Sequence, residues 1–394
     1  MSGPICIVGA GQAGLQVALS LRDNGFTGKL TLIGDEPHLP YHRPPMSKRG
    51  LAEPLGPADL AIRNRAFIEQ RGIALQLGTA VAHIDRAAHS ITLVDGTRVD
   101  YDRLVLATGS VPRRLQLAGA DLPKVALLKD YADLERLREM LLGVRRAVLI
   151  GGGFVGLELA SSLRRSGLDV TVLEAAPRLL ARVASADLSA HIEVAHRANG
   201  VDIRTGIGVS AILGDRQADA VQLASGEAVA ADLILVGIGA DADDRLAIAA
   251  GLRTDRGILV DVTGRTSDPA IYAVGDCVRF DHPFYGPALR LESVNNALDQ
   301  ARLVAASITG QPEPAATVPW FWSDQFDLKI QLAGIPSPLD RIEIVSGEGD
   351  FVRHYTRDGV LRAIEAVNAP RAFMQARRRI EAEMRALCAL EGVA

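Results

Sequence analysis

Nearly uninterrupted apolar runs of four residues recur along the chain in two sets. Ile5–Val8, Leu30–Ile33 and Leu104–Ala107 form the first, and Ala147–Ile150, Val170–Leu173 and Leu233–Val236 form the second. The middle run of each set is broken only by a β-branched threonine, Thr31 or Thr171. A strand that is apolar at every position is buried on both faces, as in a parallel sheet covered by helices. Between the first and second runs of each set lies a helix-period segment that ends in Gly25 or Gly167. Further on, Ser90–Val99 and Ala220–Val229 both predict strand, glycine turn, strand. From about Val318 the pattern changes to short strands at Lys329–Leu332, Arg341–Val345, Phe351–Tyr355 and Leu361–Ala366, followed by a helix from about Ala369.

The turn after the first strand of each set has the same glycine spacing. Gly9-Ala10-Gly11-Gln12-Ala13-Gly14 and Gly151-Gly152-Gly153-Phe154-Val155-Gly156 both spell G-x-G-x-x-G. The first glycine allows the tight turn, the second lets a pyrophosphate approach the backbone, and the third lets helix pack close to strand. The helix N-terminus then holds the phosphates. Two copies imply two dinucleotides. The first set resumes after the second, with Thr266–Asp276, so one domain is inserted in the other. The expected fold is α/β, with two Rossmann-like dinucleotide-binding domains (1–111 with 244–317, and 112–243) plus a C-terminal α+β domain at 318–394. A loop at Pro40–Lys48, stiffened by prolines and carrying cations, has no counterpart after Glu174 and is expected to shape a cofactor site.

Glu174 ends the second strand of the second copy. An acid there hydrogen-bonds a ribose 2′-OH and repels a 2′-phosphate. Ala175 and Ala176 follow, and cations come only later at Arg178 and Arg182, so NADH is expected over NADPH.

Composition narrows the chemistry. The 394 residues carry 43 Lys+Arg against 47 Asp+Glu, a net charge of -4, which leaves no excess of positive charge for nucleic acid. The three cysteines, Cys6, Cys277 and Cys388, are far apart, so no disulfide framework or C-x-x-C pair is expected. With no basic leader before the first strand, a cytoplasmic setting is expected. No apolar run approaches the roughly 20 residues needed to cross a bilayer. The histidines form no metal-ligand spacing, and no metal is expected.

Taken together, Gly9–Gly14, Pro40–Lys48, Leu106–Gly109, Gly151–Glu158, Ala273–Asp276, Glu292–Ala297 and Val318–Gln325 resemble the flavoprotein ferredoxin reductases of bacterial oxygenase systems, within the glutathione-reductase superfamily. Met46 stands where that family usually has Leu. The resemblance implies that the first copy binds FAD. Gly9, Gly11, Ala13 and Gly14 would hold the pyrophosphate, and Asp35 the adenosine ribose, with Glu36 the other candidate. It also implies Arg43 in the cofactor loop, Val81 at the adenine, Thr108 and Gly109 beside the cofactor, Lys129 near the pyrophosphate, Gly275 and Asp276 at the ribityl chain, and Val294 at the flavin. Trp320 would lie against the flavin or nicotinamide ring, with Trp322 on the same side of an extended segment. For NAD(H) it implies Gly151, Gly153, Val155, Gly156, Glu174 and Gly239. Lys48 and Glu158 would form a catalytic ion pair beside the flavin.

The implied activity passes electrons from NADH through FAD to a [2Fe-2S] ferredoxin that serves an oxygenase. The partner face would use Arg63 and Arg302, extended by Arg377, Arg378 and Arg379. The rivals are a rubredoxin or quinone reductase, and an NADH-binding interaction protein similar to apoptosis-inducing factor.

Overall fold

The computed structural model describes residues 3–315, 317–345 and 351–390. Its first sheet is parallel and five-stranded, in the order Ile271–Ala273, Arg103–Leu106, Ile5–Val8, Leu30–Gly34, Ile73–Leu77. The last strand in sequence, Ile271–Ala273, pairs beside Arg103–Leu106, so the sheet is completed only after the chain returns. Every residue of Ile5–Val8 is buried, Ile5 and Ile7 into one core and Cys6 and Val8 into another. The first core lies under the helices Gln12–Asp23 and Val294–Thr309.

The second sheet repeats the plan: Asp202–Thr205, Asp169–Glu174, Arg146–Ile150, Leu233–Val236, Val125–Ala126. Ala147 and Leu149 face one core, Val148 and Ile150 the other. The two crossings between these sheets, Ser110–Pro112 and Ala240–Ala242, pair antiparallel as a two-stranded ribbon.

The C-terminal sheet is antiparallel, in the order Trp320–Gln325, Leu328–Gly334, Val360–Val367, Phe351–Arg357, Arg341–Ile344. Alternation sends its two faces to different partners. Ile364 and Ala366 pack with Ala372, Phe373, Ala376 and Ile380 of the helix Pro370–Leu390, which recur at the three- and four-residue steps of one helix face. Leu328, Ile330 and Val367 face the other way, into a core shared with Leu188 and Ile192 of the helix Ala186–Ala198 beside the second sheet. Among the described residues, no helix is long and apolar enough to cross a membrane.

One carboxylate sits inside this second contact. Glu365, 2% exposed, accepts from the Ser185 amide (2.8 Å), the Ser185 hydroxyl (2.5 Å) and the Tyr355 hydroxyl (2.7 Å). Ser185 in turn caps the helix Ala186–Ala198, its hydroxyl oxygen accepting from the Leu188 amide. Removing the carboxyl strands buried donors, at a cost of about 1–3 kcal/mol. Glu365→Ala is therefore expected to lower the thermal midpoint clearly, with Glu365→Gln recovering part of the loss. An unchanged midpoint in circular dichroism would make the contact dispensable.

Candidate cofactor and active site

The two glycine turns superpose role for role. Gly9 has φ +111° and Gly151 φ +113°, and a Cβ on either would lie 2.1 Å from the Ala107 carbonyl oxygen or 2.4 Å from that of Gly237. A Cβ on Gly14 or Gly156 would meet the carbonyl oxygen of Gly9 at 2.0 Å or of Gly151 at 2.4 Å. Gly11 and Gly153 differ in kind, for nothing lies within 4 Å of their Cβ positions. Each is the N-cap of a motif helix, Gln12–Asp23 or Phe154–Arg165, and neither helix has a side-chain cap. Uncapped helix amides beside a glycine-walled space fit a pyrophosphate in both copies. Ala13 is buried at the start of the first helix, and Val155 is exposed at the start of the second.

The strand-end acids are arranged differently in the two copies. Val8 pairs with Ile33 as Ile150 pairs with Leu173, so Gly34 occupies the place of Glu174. A Cβ on Gly34 would meet the Cβ of Ala10 at 2.6 Å. The second copy has Gly152 where the first has Ala10, and Glu174 fits there, accepting from the Gly152 amide (2.6 Å) and the Ala176 amide (2.7 Å). In the first copy both oxygens of Glu36 are engaged, one by Arg43 (2.5 Å) and one by the Tyr41 hydroxyl (2.5 Å). Asp35 is exposed, and among the described residues its one side-chain hydrogen bond is from the next amide, so its carboxylate is not committed as that of Glu36 is.

The downstream cations lie elsewhere. Arg178 donates to the carbonyls of Ala181 and Ala184 at 3.0 and 2.8 Å. Arg182 stands against Gly239, 3.0 Å from where a Cβ would be.

The proline loop joins this frame through Arg43, which also donates to the Lys129 carbonyl (2.7 Å). Lys129 Nζ donates to Ser110 Oγ (2.8 Å), and that hydroxyl reaches Asp276 (3.1 Å). Burial lowers the Lys129 pKa against the opposing pull of Asp276. The Thr108 hydroxyl donates to the Asp243 carbonyl (2.5 Å), tying the end of the first sheet to the returning chain. Gly109, at φ +74°, opens onto free space beside it. Gly275, at φ +82°, would bring a Cβ to 3.2 Å from Ala13 and 3.9 Å from Ala297, so the glycine turn, Asp276 and the Val294 helix converge. Val81 is buried beside Val8 and Ile33.

Lys48 and Glu158 meet at 3.0 Å, 19% and 5% exposed. Glu158 also accepts from the hydroxyls of Ser47 (2.5 Å) and Ser323 (2.6 Å). Four residues on, the Ser162 hydroxyl contacts the carbonyls of Ser47 and Lys48, both at 2.9 Å, so one helix face holds the loop by side chain and by backbone. The strand Trp320–Gln325 lies along the same helix. Phe321 packs on Phe154 (4.5 Å between centroids) two residues before Ser323 meets Glu158. The register works because four helical residues rise about 6 Å and two strand residues about 6.6 Å. Trp320 and Trp322 share the opposite side of the strand, 5.6 Å apart, with the Arg377 guanidinium 4.9 Å over Trp320.

The sequence reading missed Ser47, Ser323, Gln325 and His196. The signal for the two strand residues was present, since Ser323 and Gln325 alternate in phase with Phe321. Of the proposed partner-face cations, Arg63 is exposed over Phe67, and Arg302 is 50% exposed and paired with Asp299 at 2.8 Å. The arginine triplet divides: Arg377 turns inward to Trp320, and Arg379 pairs with Glu383.

Two dinucleotide folds with a buried ion pair beside the second fold's motif helix define a pyridine-nucleotide oxidoreductase. Residues 3–301 match the family described as Pyridine nucleotide-disulphide oxidoreductase and residues 320–389 the Reductase C-terminal family, so the chain belongs to the pyridine nucleotide-disulphide oxidoreductases. It is 42% identical to rhodocoxin reductase of Rhodococcus erythropolis, over 96% of this chain and 90% of that one. It is also 42% identical to a ferredoxin--NAD(P)(+) reductase of a Sphingomonas species, over 96% and 93%. Among solved structures, it is similar to a chain of the covalent putidaredoxin reductase-putidaredoxin complex, with TM-score 0.93 and 38% identity over 97% and 93%. The cysteines do not follow the family's name: Cys6, Cys277 and Cys388 are all free, and burial pushes the Cys6 thiol up to about 11 and raises that of Cys277.

The glycine geometry separates folding from binding. Gly11→Val is expected to fold with native circular dichroism and lose its flavin, because the added side chain fills the open space. Gly14→Ala is expected to give insoluble or unfolded chain, because its Cβ meets backbone. Retention of flavin by soluble Gly11→Val would refute this placement of the pyrophosphate.

Proposed function

We propose that this protein passes electrons from NADH through FAD to a [2Fe-2S] ferredoxin that serves an oxygenase, in the cytoplasm. The observation that carries the reading is the Lys48–Glu158 pair, closed between the proline loop and the second motif helix with no dithiol to take electrons onward. FAD, when bound, supplies the conversion of a hydride from NADH into single electrons.

The chain's own residues bind, orient and shield. Gly9, Gly11 and Gly14 bring the backbone to one pyrophosphate, and Asp35 offers an acceptor to its ribose. Lys129 and Asp276 form a charged seat joined through Ser110. Gly151, Gly153 and Gly156 repeat the cradle for NADH, and Glu174 discriminates at the ribose. Arg178, the nearest downstream cation in sequence, is committed to backbone carbonyls rather than held out toward a 2′-phosphate. The Phe154–Phe321 contact and the two tryptophans wall the reaction site from water, which strengthens the electrostatics inside it. Lys48, held by Glu158, presents a fixed positive charge there.

A chain of net charge -4 needs local cations to receive an acidic ferredoxin. Arg302 and Arg63 are the residues assigned to that face.

Glu174→Ala is expected to raise the NADPH-to-NADH ratio of kcat/KM by about tenfold, about 1.4 kcal/mol of discrimination removed. A wild-type preference for NADPH would overturn the role of Glu174. For the partner, cytochrome c reduction should be fast with a [2Fe-2S] ferredoxin and slow with rubredoxin or a quinone. Slow turnover with every acceptor would favour the interaction-protein reading. Arg302→Gln, chosen because a new acid would face Asp299, should raise the ferredoxin KM several-fold and leave ferricyanide reduction unchanged. Equal loss of both activities would move Arg302 from the partner face to the flavin site.

A further inference from the structure

The Lys48–Glu158 pair is the end of a longer buried chain. Ser323, fully buried, donates to Glu158 at 2.6 Å. Gln325, also fully buried, donates from Nε2 to Ser323 Oγ at 3.1 Å. Gln325 Oε1 lies 2.9 Å from His196 Nε2, and His196 is fully buried near the C-terminal end of the helix Ala186–Ala198, with the Phe326 ring edge-on at 5.0 Å. Among the described residues, His196 Nδ1 is buried without a partner.

Hydrogen-bond chemistry gives this chain one direction. A carboxylate only accepts, so the Ser323 proton must point at Glu158. Its oxygen must then accept from the Gln325 amide nitrogen, which leaves the Gln325 oxygen facing His196. That oxygen accepts only if His196 carries its proton on Nε2, and Nδ1 is then a bare acceptor, consistent with its having no partner. Burial also lowers the His196 pKa, which favours the neutral ring this arrangement requires. Turning the amide over would set the Gln325 oxygen 3.1 Å from the Ser323 oxygen, and the single Ser323 proton cannot serve both that oxygen and Glu158.

A packed apolar strand face would serve docking alone without the desolvation of three polar side chains. We propose that His196, Gln325 and Ser323 are positioning residues, forming a directional relay that fixes the Glu158 carboxylate and, through it, the Lys48 ammonium for the reaction with NADH. The proposal rests on the catalytic reading of Lys48 and Glu158.

The test is anaerobic stopped-flow reduction of the flavin-loaded protein by NADH, with the flavin midpoint potential measured on the same samples. The variants are Lys48→Met, Ser323→Ala, Gln325→Met and the double variant Lys48→Met/Ser323→Ala. Ser323→Ala and Gln325→Met should each lower the limiting reduction rate by about tenfold, with NADH Kd nearly unchanged and the potential displaced from wild type. In the Lys48→Met background, Ser323→Ala should add almost nothing, because the two act through one carboxylate.

Wild-type rates and potentials in both relay variants, with Lys48→Met slow, would overturn the relay and leave the ion pair's role standing. A wild-type rate in Lys48→Met would overturn the catalytic reading itself. A raised NADH Kd at an unchanged limiting rate, or full additivity in the double variant, would make Ser323 a packing residue and refute the proposal. Loss of FAD from Ser323→Ala would shift the decision to Gln325→Met under the same criteria.

Discussion

A carboxylate buried to 5% exposure has to be surrounded by donors, and the donors of Glu158 come from two stretches of chain distant from its own helix. Desolvating a carboxylate and an ammonium together costs several kcal/mol, which their attraction repays only in good geometry with the remaining lone pairs satisfied. Lys48 and Ser47 arrive on the proline loop, Glu158 on the second motif helix, and Ser323 on the first strand of the C-terminal sheet. None of these can be displaced without stranding the others. The ion pair therefore ties together the loop, the helix and the C-terminal strand at one point.

The two glycine motifs show how one backbone solution is adapted to two ligands. At their first and third glycines a Cβ would collide with a backbone carbonyl oxygen in both copies. The freedom lies in the flanks. Ala10 with Gly34 closes the position that Gly152 with Glu174 opens, so the free acid moves one residue onward, to Asp35. The exchange of Ala10 and Gly34 for Gly152 and Glu174 thus changes the acid at the strand end while the glycine turn stays the same.

Much of this was legible in the sequence. Buried parallel strands announce themselves as apolar runs, and the glycine spacing marks both turns, because each depends on residues within a single strand-turn-helix unit. The alternation of Trp320 and Trp322 likewise predicts their shared face, as found. Alternation puts Ser323 and Gln325 on the Phe321 face of their strand, but the sequence does not say which residues they meet across long separations. Ser47 and Glu158 are 111 residues apart, Ser323 and Glu158 are 165 apart, and His196 and Gln325 are 129 apart. A serine or glutamine has no local pattern that reveals a buried partner on another element. The commitment of Arg178 to carbonyls was hidden for a related reason, since charge alone does not say whether a guanidinium serves the fold or a ligand.

The C-terminal sheet is held to the second sheet's side at both ends of one helix. Ser185, capping the start of Ala186–Ala198, is bound by Glu365, and His196, near its end, is bound by Gln325. Between these polar ends lies the apolar contact of Leu188 and Ile192 with Leu328, Ile330 and Val367. Polar groups at both ends fix the register of the helix on the sheet, which apolar packing alone specifies less sharply, since apolar contacts are not directional. That register is what sets Ser323 opposite Glu158, because Gln325 and Ser323 are neighbours on one strand face. The precision of the ion pair thus depends on a helix that touches neither of its charges.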